Sequence, residues 1–339
     1  MFRYLPPHAL GGRAHVIIDG APRRGTAYTL SHWPGTPTPP GLNADLSAEI
    51  VRHALEHPEL LPGSVKVSSI DHYDVDGVVA LALAVVAGLN AEHGALLVEA
   101  ARVGDFDVVT DRRAALIAFA INGLYDGAGG SGDALASMSG AHDVLERCGN
   151  LAHDALDVIP DLAADPQRFE WLWRDEWSAY EASVRAVAEG WATIEELPEF
   201  DLAVVLVEPG HDGAAAAWRS APLHRAAVHS ATTCLRVATL RGGRMEMRYR
   251  YESWVRLAHR RPRPRVDLER LAYDLSAAEK GGGRWVFDGA GATTGALHLA
   301  RDDMTTTIAP GRFLELLCEQ LATLDSRPAA WDPYAPPPG

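Results

Sequence analysis

The chain has only three cysteines in 339 residues, Cys148, Cys234 and Cys318, odd in number and far apart. A disulfide frame needs pairs and a Cys-rich zinc site needs near neighbours, so both are excluded and thiols buried in a reducing cytoplasm are expected. No apolar run reaches the roughly 18 residues of a membrane span. The opening MFRYLPPHALGG has no apolar h-region, so a secretory signal is not expected either. Positive charge is scarce: 31 Lys and Arg stand against 45 Asp and Glu, a net −14, which argues against general nucleic-acid binding. There is no G-x-S-x-G elbow, no Walker loop and no G-x-G-x-x-G, and the glycines between Asp126 and Asp133 do not make a phosphate loop. What remains, 47% hydrophobic and 22% charged, is an ordinary globular composition with length enough for two domains.

The stretch with the most chemistry is Ser64 to Asn90. Val65, Val67 and Ile70 alternate with small polar residues, which predicts a strand, and the apolar run Val78 to Leu89 predicts a buried helix. Between them stand Asp71, His72, Asp74 and Asp76, then Gly77. A helix N-terminus carries roughly half a positive charge, too little for three carboxylates. A divalent cation would neutralise them. Alternate residues of extended chain point the same way, so His72, Asp74 and Asp76 converge on one ion. Mixed imidazole and carboxylate donors favour Mn, Fe or Zn over Ca, and an EF-hand is rejected because its twelfth position, counted from His72, is Leu83. The competing reading is a solvated acidic turn that caps the helix through Asp74 or Asp76.

Three more strand ends carry candidate donors. HVIID stops at Asp19, the run Tyr28 to Ser31 stops at His32, and ALLVEAA (Ala95 to Ala101) reads as a strand before Asp105. Sites in open α/β sheets gather at strand ends, so Asp19, His32 and Asp105 join the metal list. The proline-rich loop Trp33 to Gly41 is stiff and either presents His32 and Trp33 or only connects. His153 and Asp157, at i and i+4, read as a solvated helix pair, and Trp173, Trp177 and Tyr180 as a packing stripe.

The register changes near Pro198. The expected fold is α/β, with an N-terminal metal-binding sheet domain over 1–195, a smaller substrate-binding α/β domain over 196–326 and a disordered Pro-rich tail over 327–339. Cys234 to Leu240 and Met245 to Tyr251 read as a hairpin around Gly242-Gly243, with Arg248 and Arg250 on one face. Arginine is dense from Arg236 to Arg265. Guanidinium forks match phosphate oxygens, so the cluster is either a phosphate site or a sink for the chain's own carboxylates.

IDHYDVDGVVALA resembles the first motif of the DHH phosphoesterase superfamily, H-x-D-x-D-G between a strand and a helix. That resemblance implies a pair of Mn ions activating water against a phosphoester, with His72, Asp74, Asp76 and Asp105 in catalytic roles. It also implies a glycine-rich substrate turn, which Gly282 and Gly283 resemble, although Arg284 stands where that turn usually has a histidine; the arginine cluster adds Arg248 and Arg250 as substrate-binding candidates. The chain has no Asp-His-His tripeptide. LSHWPGTPTPP, GDFD and GGGRWVFDG are similar to blocks of a bacterial family of unknown function. The expected activity is thus a cytoplasmic metal-dependent hydrolase of a small nucleotide or phosphorylated metabolite. The alternatives are a non-catalytic metal- or ligand-binding protein on the same scaffold, and an enzyme of unrelated metal chemistry such as a lyase or amidohydrolase.

Overall fold

A computed structural model describes residues 2–127, 141–207, 222–300 and 305–335. Strands β1 (Arg3–Tyr4), β2 (His15–Ile18), β3 (Thr26–Leu30) and β4 (Val67–Ser69) make a wholly parallel sheet in the order β1-β4-β2-β3. Every residue of β2 is buried, as a continuous apolar run inside a parallel sheet should be. Around it lie helices α1 (Ser47–Glu56), α2 (Val75–Val85), α3 (Leu89–Phe106), α4 (Arg112–Gly127) and α5 (Ala141–Ala164). Helix α2 is buried from Val75 to Ala84 and packs against α1, α3 and β2. At roughly 1.5–3 kcal/mol for each large apolar side chain taken from water, it is the centre of this core.

The class is α/β, as the sequence suggests, but one element differs. Ala95 to Ala101 is not a strand: it is the middle of α3, 18 residues long, with Leu97, Val98, Ala101 and Phe106 buried. A short apolar run bounded by polar residues fits a strand or one face of a helix equally well, and α2 provides the surface that selects the helix. Asp105 therefore lies in the last turn of a helix, not beyond a strand.

The chain divides into two units, one of 1–178 with 256–261, the other of 179–255 with 262–339. The division falls inside helix α6 (Glu170–Ala188), upstream of Glu195. In the first unit Trp173 is buried with its Nε1–H donating to the Pro166 carbonyl at 2.8 Å, and Trp177 packs on Phe119. His153 and Asp157 are exposed on α5, a solvated pair.

The second unit is a mixed sheet, β5-β6-β7-β8-β10-β9, of β5 (Ala192–Leu197), β6 (Leu202–Val207), β7 (Arg236–Arg241), β8 (Arg244–Tyr249), β9 (Arg284–Phe287) and β10 (Ala296–Ala300). The expected hairpin is β7–β8, with Gly242 and Gly243 both at positive φ (52° and 80°) in its tight turn. Helices α7 (Arg225–His229), α8 (Glu269–Ala278) and α9 (Pro310–Leu324) accompany this sheet. Leu202, Val204, Met247 and Trp285 share one apolar core with Phe313 and Leu317 of α9. The tail is held where it is described: Trp331 bridges to Arg265 and stacks on Trp254 at 5.6 Å and 4°. The turn at 128–133, the residues 208–212 after β6 and the last four residues lie outside the described residues. Among the described residues no helix is long and apolar enough to cross a membrane.

Candidate metal centre

Parallel strands deliver their C-terminal ends to one edge of the sheet, and there the first unit gathers its acids. Asp19 follows β2 with a left-handed φ of 47°, a conformation few non-glycine residues adopt. It is pinned by its N–H to the Leu30 carbonyl at 3.1 Å. His32 follows β3 two residues on, and its carbonyl accepts from the Arg256 N–H at 3.0 Å. Beyond β4 come Asp71 and His72, then Asp74 at the N-cap of α2, with Asp76 in its first turn. Asp105 enters from the end of α3, which approaches α2 so closely at Gly104 that an added Cβ would stand 2.3 Å from Val75 Cβ.

The six side chains proposed from sequence, Asp19, His32, His72, Asp74, Asp76 and Asp105, come together in two groups joined by Asp19. In the inner group His32 Nε2 lies 3.3 Å from Asp105 Oδ2, 3.6 Å from Asp19 Oδ1 and 3.9 Å from Asp76 Oδ2. In the outer group His72 Nε2 lies 2.8 Å from Asp74 Oδ2 and 3.4 Å from Asp19 Oδ2. Donors sharing one ion at about 2.1 Å stand roughly 3.0–3.4 Å apart, so both spacings are close to those of a coordination shell. Asp19, His32 and Asp76 form one triad with metal-holding geometry, and Asp19, His72 and Asp74 a second.

The supports are not visible in the sequence. Helix α1 has Leu46 at its N-cap, which cannot cap it. Asp76 does so from α2, accepting from the N–H groups of Ser47 (2.7 Å) and Ala48 (2.9 Å). Two helix N-termini thus point into the cluster, and the Ser47 hydroxyl donates to Asp19 Oδ1 at 2.7 Å. Asp74 caps its own helix through the Gly77 N–H at 2.8 Å, so the capping reading and the clustering are both present in one residue. His32 Nδ1–H donates to the Asp45 carbonyl at 2.6 Å, which leaves the Nε2 lone pair facing the acids. Asp71 holds His72 Nδ1 at 2.7 Å and accepts from the Ala21 N–H at 3.0 Å. A leucine at an N-cap is the one sequence signal that α1 borrows its cap.

These supports do not neutralise the charge. Asp19 Oδ2 and Asp105 Oδ2 are buried and make no hydrogen bond. Burial first, then the neighbouring carboxylates, push the Asp19 and Asp105 carboxyls well above the ordinary range. Burial and Asp74 lift Asp76 to about 7 despite its two backbone donors. Burial lowers His32 to about 4, so it is neutral near pH 7. Burial works against a charged His72, but Asp74, Asp71 and Asp19 outweigh it and raise its pKa. Burial also opposes the charge on Asp74, and His72 and the Gly77 N–H outweigh it in turn, lowering that pKa. Without a metal, the His72 imidazolium is the cation of the outer group, and the inner group has none.

The arginines expected to grip a phosphate are partly committed elsewhere. Arg250 is buried and its fork closes on Glu252, with Nη1 donating to the Thr232 carbonyl at 2.8 Å. It lies one residue beyond β8 in extended backbone, its N–H still donating to the Leu235 carbonyl at 2.9 Å, and it lines the same cavity as Arg248, as strand alternation predicts. Arg248 is half-buried and donates to Glu246 and to the Thr294 carbonyl, each at 3.2 Å. Arg236 pairs with Asp325 at 2.7 Å. Arg284 is exposed at the start of β9, after the turn in which Gly282 takes a φ of 72°. The cluster is in large part a sink for the chain's own acceptors. The described cavities, about 480 Å³ beside Asp45, Glu49 and His53 and about 340 Å³ beside Val228, Thr239 and Arg248, contain none of the six clustered side chains.

A family model described as "Family of unknown function (DUF6687)" matches residues 1–309, and the chain belongs to that family. No curated protein and no solved structure matches the chain.

Proposed function

We propose that the protein is a metal-dependent hydrolase of small phosphoesters that holds two divalent ions, manganese foremost, in this cluster. The observation that supports it best is Asp19: one buried carboxylate offers Oδ1 to His32 and Asp76 and Oδ2 to His72 and Asp74. A carboxylate shared in this way would suit a two-metal site, with Asp19 holding a place in both donor sets. The orphaned oxygens of Asp19 and Asp105 supply the reason for a cation, the imidazole and carboxylate donors the reason for Mn, Fe or Zn over Ca, and the resemblance to the DHH motif the reason for putting manganese first. Divalent ions held by these six donors would supply an acidified water and a polarised phosphoryl oxygen. The chain's part is to fix the donors. Asp45 and Asp71 set the ring orientation of His32 and His72, and the N-termini of α1 and α2 favour an anion at the cluster. Hydrolysis then adds one water across the ester: the P–O bond to the leaving group breaks and the departing alkoxide takes up a proton.

The resemblance of residues 70–82 to the first DHH motif agrees with this reading, and the −14 charge favours a small substrate over a polymer. A second reading, a metal-binding protein without catalysis, is favoured by Arg250, whose fork is occupied by Glu252. One experiment separates them. Protein purified without chelator is assayed for metal content and for hydrolysis of bis(4-nitrophenyl) phosphate with Mn. Two ions per chain and a rate lost in Asp19→Asn support the hydrolase. Bound metal with only background rates across a phosphoester panel leaves the second reading.

A further inference from the structure

We infer that the two metal positions differ in permanence: the inner ion is a resident part of the fold, and the outer ion exchanges with solvent and sets activity. The inference rests on the two-metal reading and deepens it. The inner donors are sealed, with side-chain exposures of 0% for His32 and Asp76, 1% for Asp19 and 5% for Asp105. The outer pair is open, at 32% for His72 and 35% for Asp74. An ion leaves by exchanging its protein ligands for water, and the outer group is by far the more open to water. Hydrogen bonding separates them further. The outer position has a stable arrangement without metal, in which the His72 ring is bonded to both Asp74 and Asp71. The inner position has no such substitute. Asp105 Oδ2, nine-tenths or more buried, is aimed at His32 Nε2 from 3.3 Å and makes no hydrogen bond. Removing the inner ion leaves that oxygen unsatisfied. Removing the outer one lets His72 close on Asp74.

The donor sets agree with this division. The inner position has three carboxylates and one imidazole, the outer two carboxylates and one imidazole, with Asp19 common to both. The outer shell is the shorter and the exposed one, and so has room for water and substrate.

The test loads the whole chain with Mn, exposes it briefly to a chelator, desalts it and counts metal by mass spectrometry, with circular dichroism to verify folding. One ion per chain is expected to remain and one to leave, with loss of activity that added Mn restores. Asp74→Asn keeps a capping side chain on α2 and is expected to hold one ion that survives the chelator. Asp105→Asn is expected to lose the chelator-resistant ion. Two ions leaving at one rate, or equal retention in both variants, overturns the inference and leaves the two-metal reading standing. Protein that takes up no Mn at all overturns both.

Discussion

Asp105 is a side chain whose burial works against the fold of the metal-free chain. Its carboxyl is pushed well up by burial and by Asp76, Asp74 and Asp19, so as a carboxylate it destabilises the metal-free chain. Asn mimics the neutral acid. Asp105→Asn should therefore raise the melting temperature of chelated protein at pH 8 by a few degrees, where about 1 kcal/mol corresponds to roughly 2–4 °C. It should also bind less Mn, and at pH 4 its thermal advantage should vanish. Thermal melts with and without Mn test this, and a variant less stable than wild type at pH 8 would refute it. Asp76 gives the matching pH dependence. Its carboxyl titrates at about 7 in the fold and near 3.9 when unfolded, so the folded state holds the extra proton across that window. Stability of the chelated protein should fall as pH rises from about 4 to 7 and change little above it from this group. Mn should raise the melting temperature more at pH 8 than at pH 5, because ligand carboxylates must lose their protons to bind.

At the scale of elements, the contact between α2 and α3 decides where Asp105 points. Gly104→Ala places a methyl 2.3 Å from Val75 Cβ and forces the helices apart, at a cost of about 1–3 kcal/mol. Gly123→Ala meets the Leu172 carbonyl at 2.1 Å, in a contact that touches no member of the cluster. Both should lower the melting temperature, but only Gly104→Ala should also reduce metal content per folded chain. This contact is also where sequence reading reaches its limit. The convergence of Asp19, His32, His72, Asp74 and Asp76 is legible because each stands just past a short apolar or alternating run, and parallel strands bring such ends together. Asp105 joins the group by way of a strand that is in fact a helix: a run as short as ALLVEAA does not fix a period, and the partner that decides it is α2. Asp45 and Ser47 carry no mark of their supporting role. That role comes from contacts such as Ser47 with Asp76, 29 residues apart, which no local pattern announces.

Across the molecule, the acidic cluster and the arginines show opposite treatments of charge. The buried arginines Arg236, Arg250 and Arg265 of the second unit are matched to acceptors. Arg265 is wholly buried and donates to Ser253 Oγ and to the carbonyls of Arg250, Ala290, Ala292 and Thr293. Arg265→Met leaves those acceptors without it, each at about 1–3 kcal/mol when buried. It should lower the melting temperature sharply while protein that stays folded keeps its metal, since none of the six donors lies in that unit. The density of arginine is plain in the sequence. That Arg250 and Arg265 serve as internal braces is not, because many of their partners are backbone oxygens and any residue type carries one.

The excursion of 256–261 into the first unit has a practical consequence. Asp45 accepts from the N–H groups of Ala258, at 2.6 Å, and His259, and its carboxylate meets the His259 ring, while Arg256 N–H binds the His32 carbonyl. A gene fragment stopped at residue 178 or 195 would encode every donor of the cluster yet omit the hexapeptide that clasps His32 and Asp45. Such a half-length product is a poor vehicle for studying the centre in isolation, and supplying the missing six residues through a short engineered linker is the remedy the chain's own threading suggests.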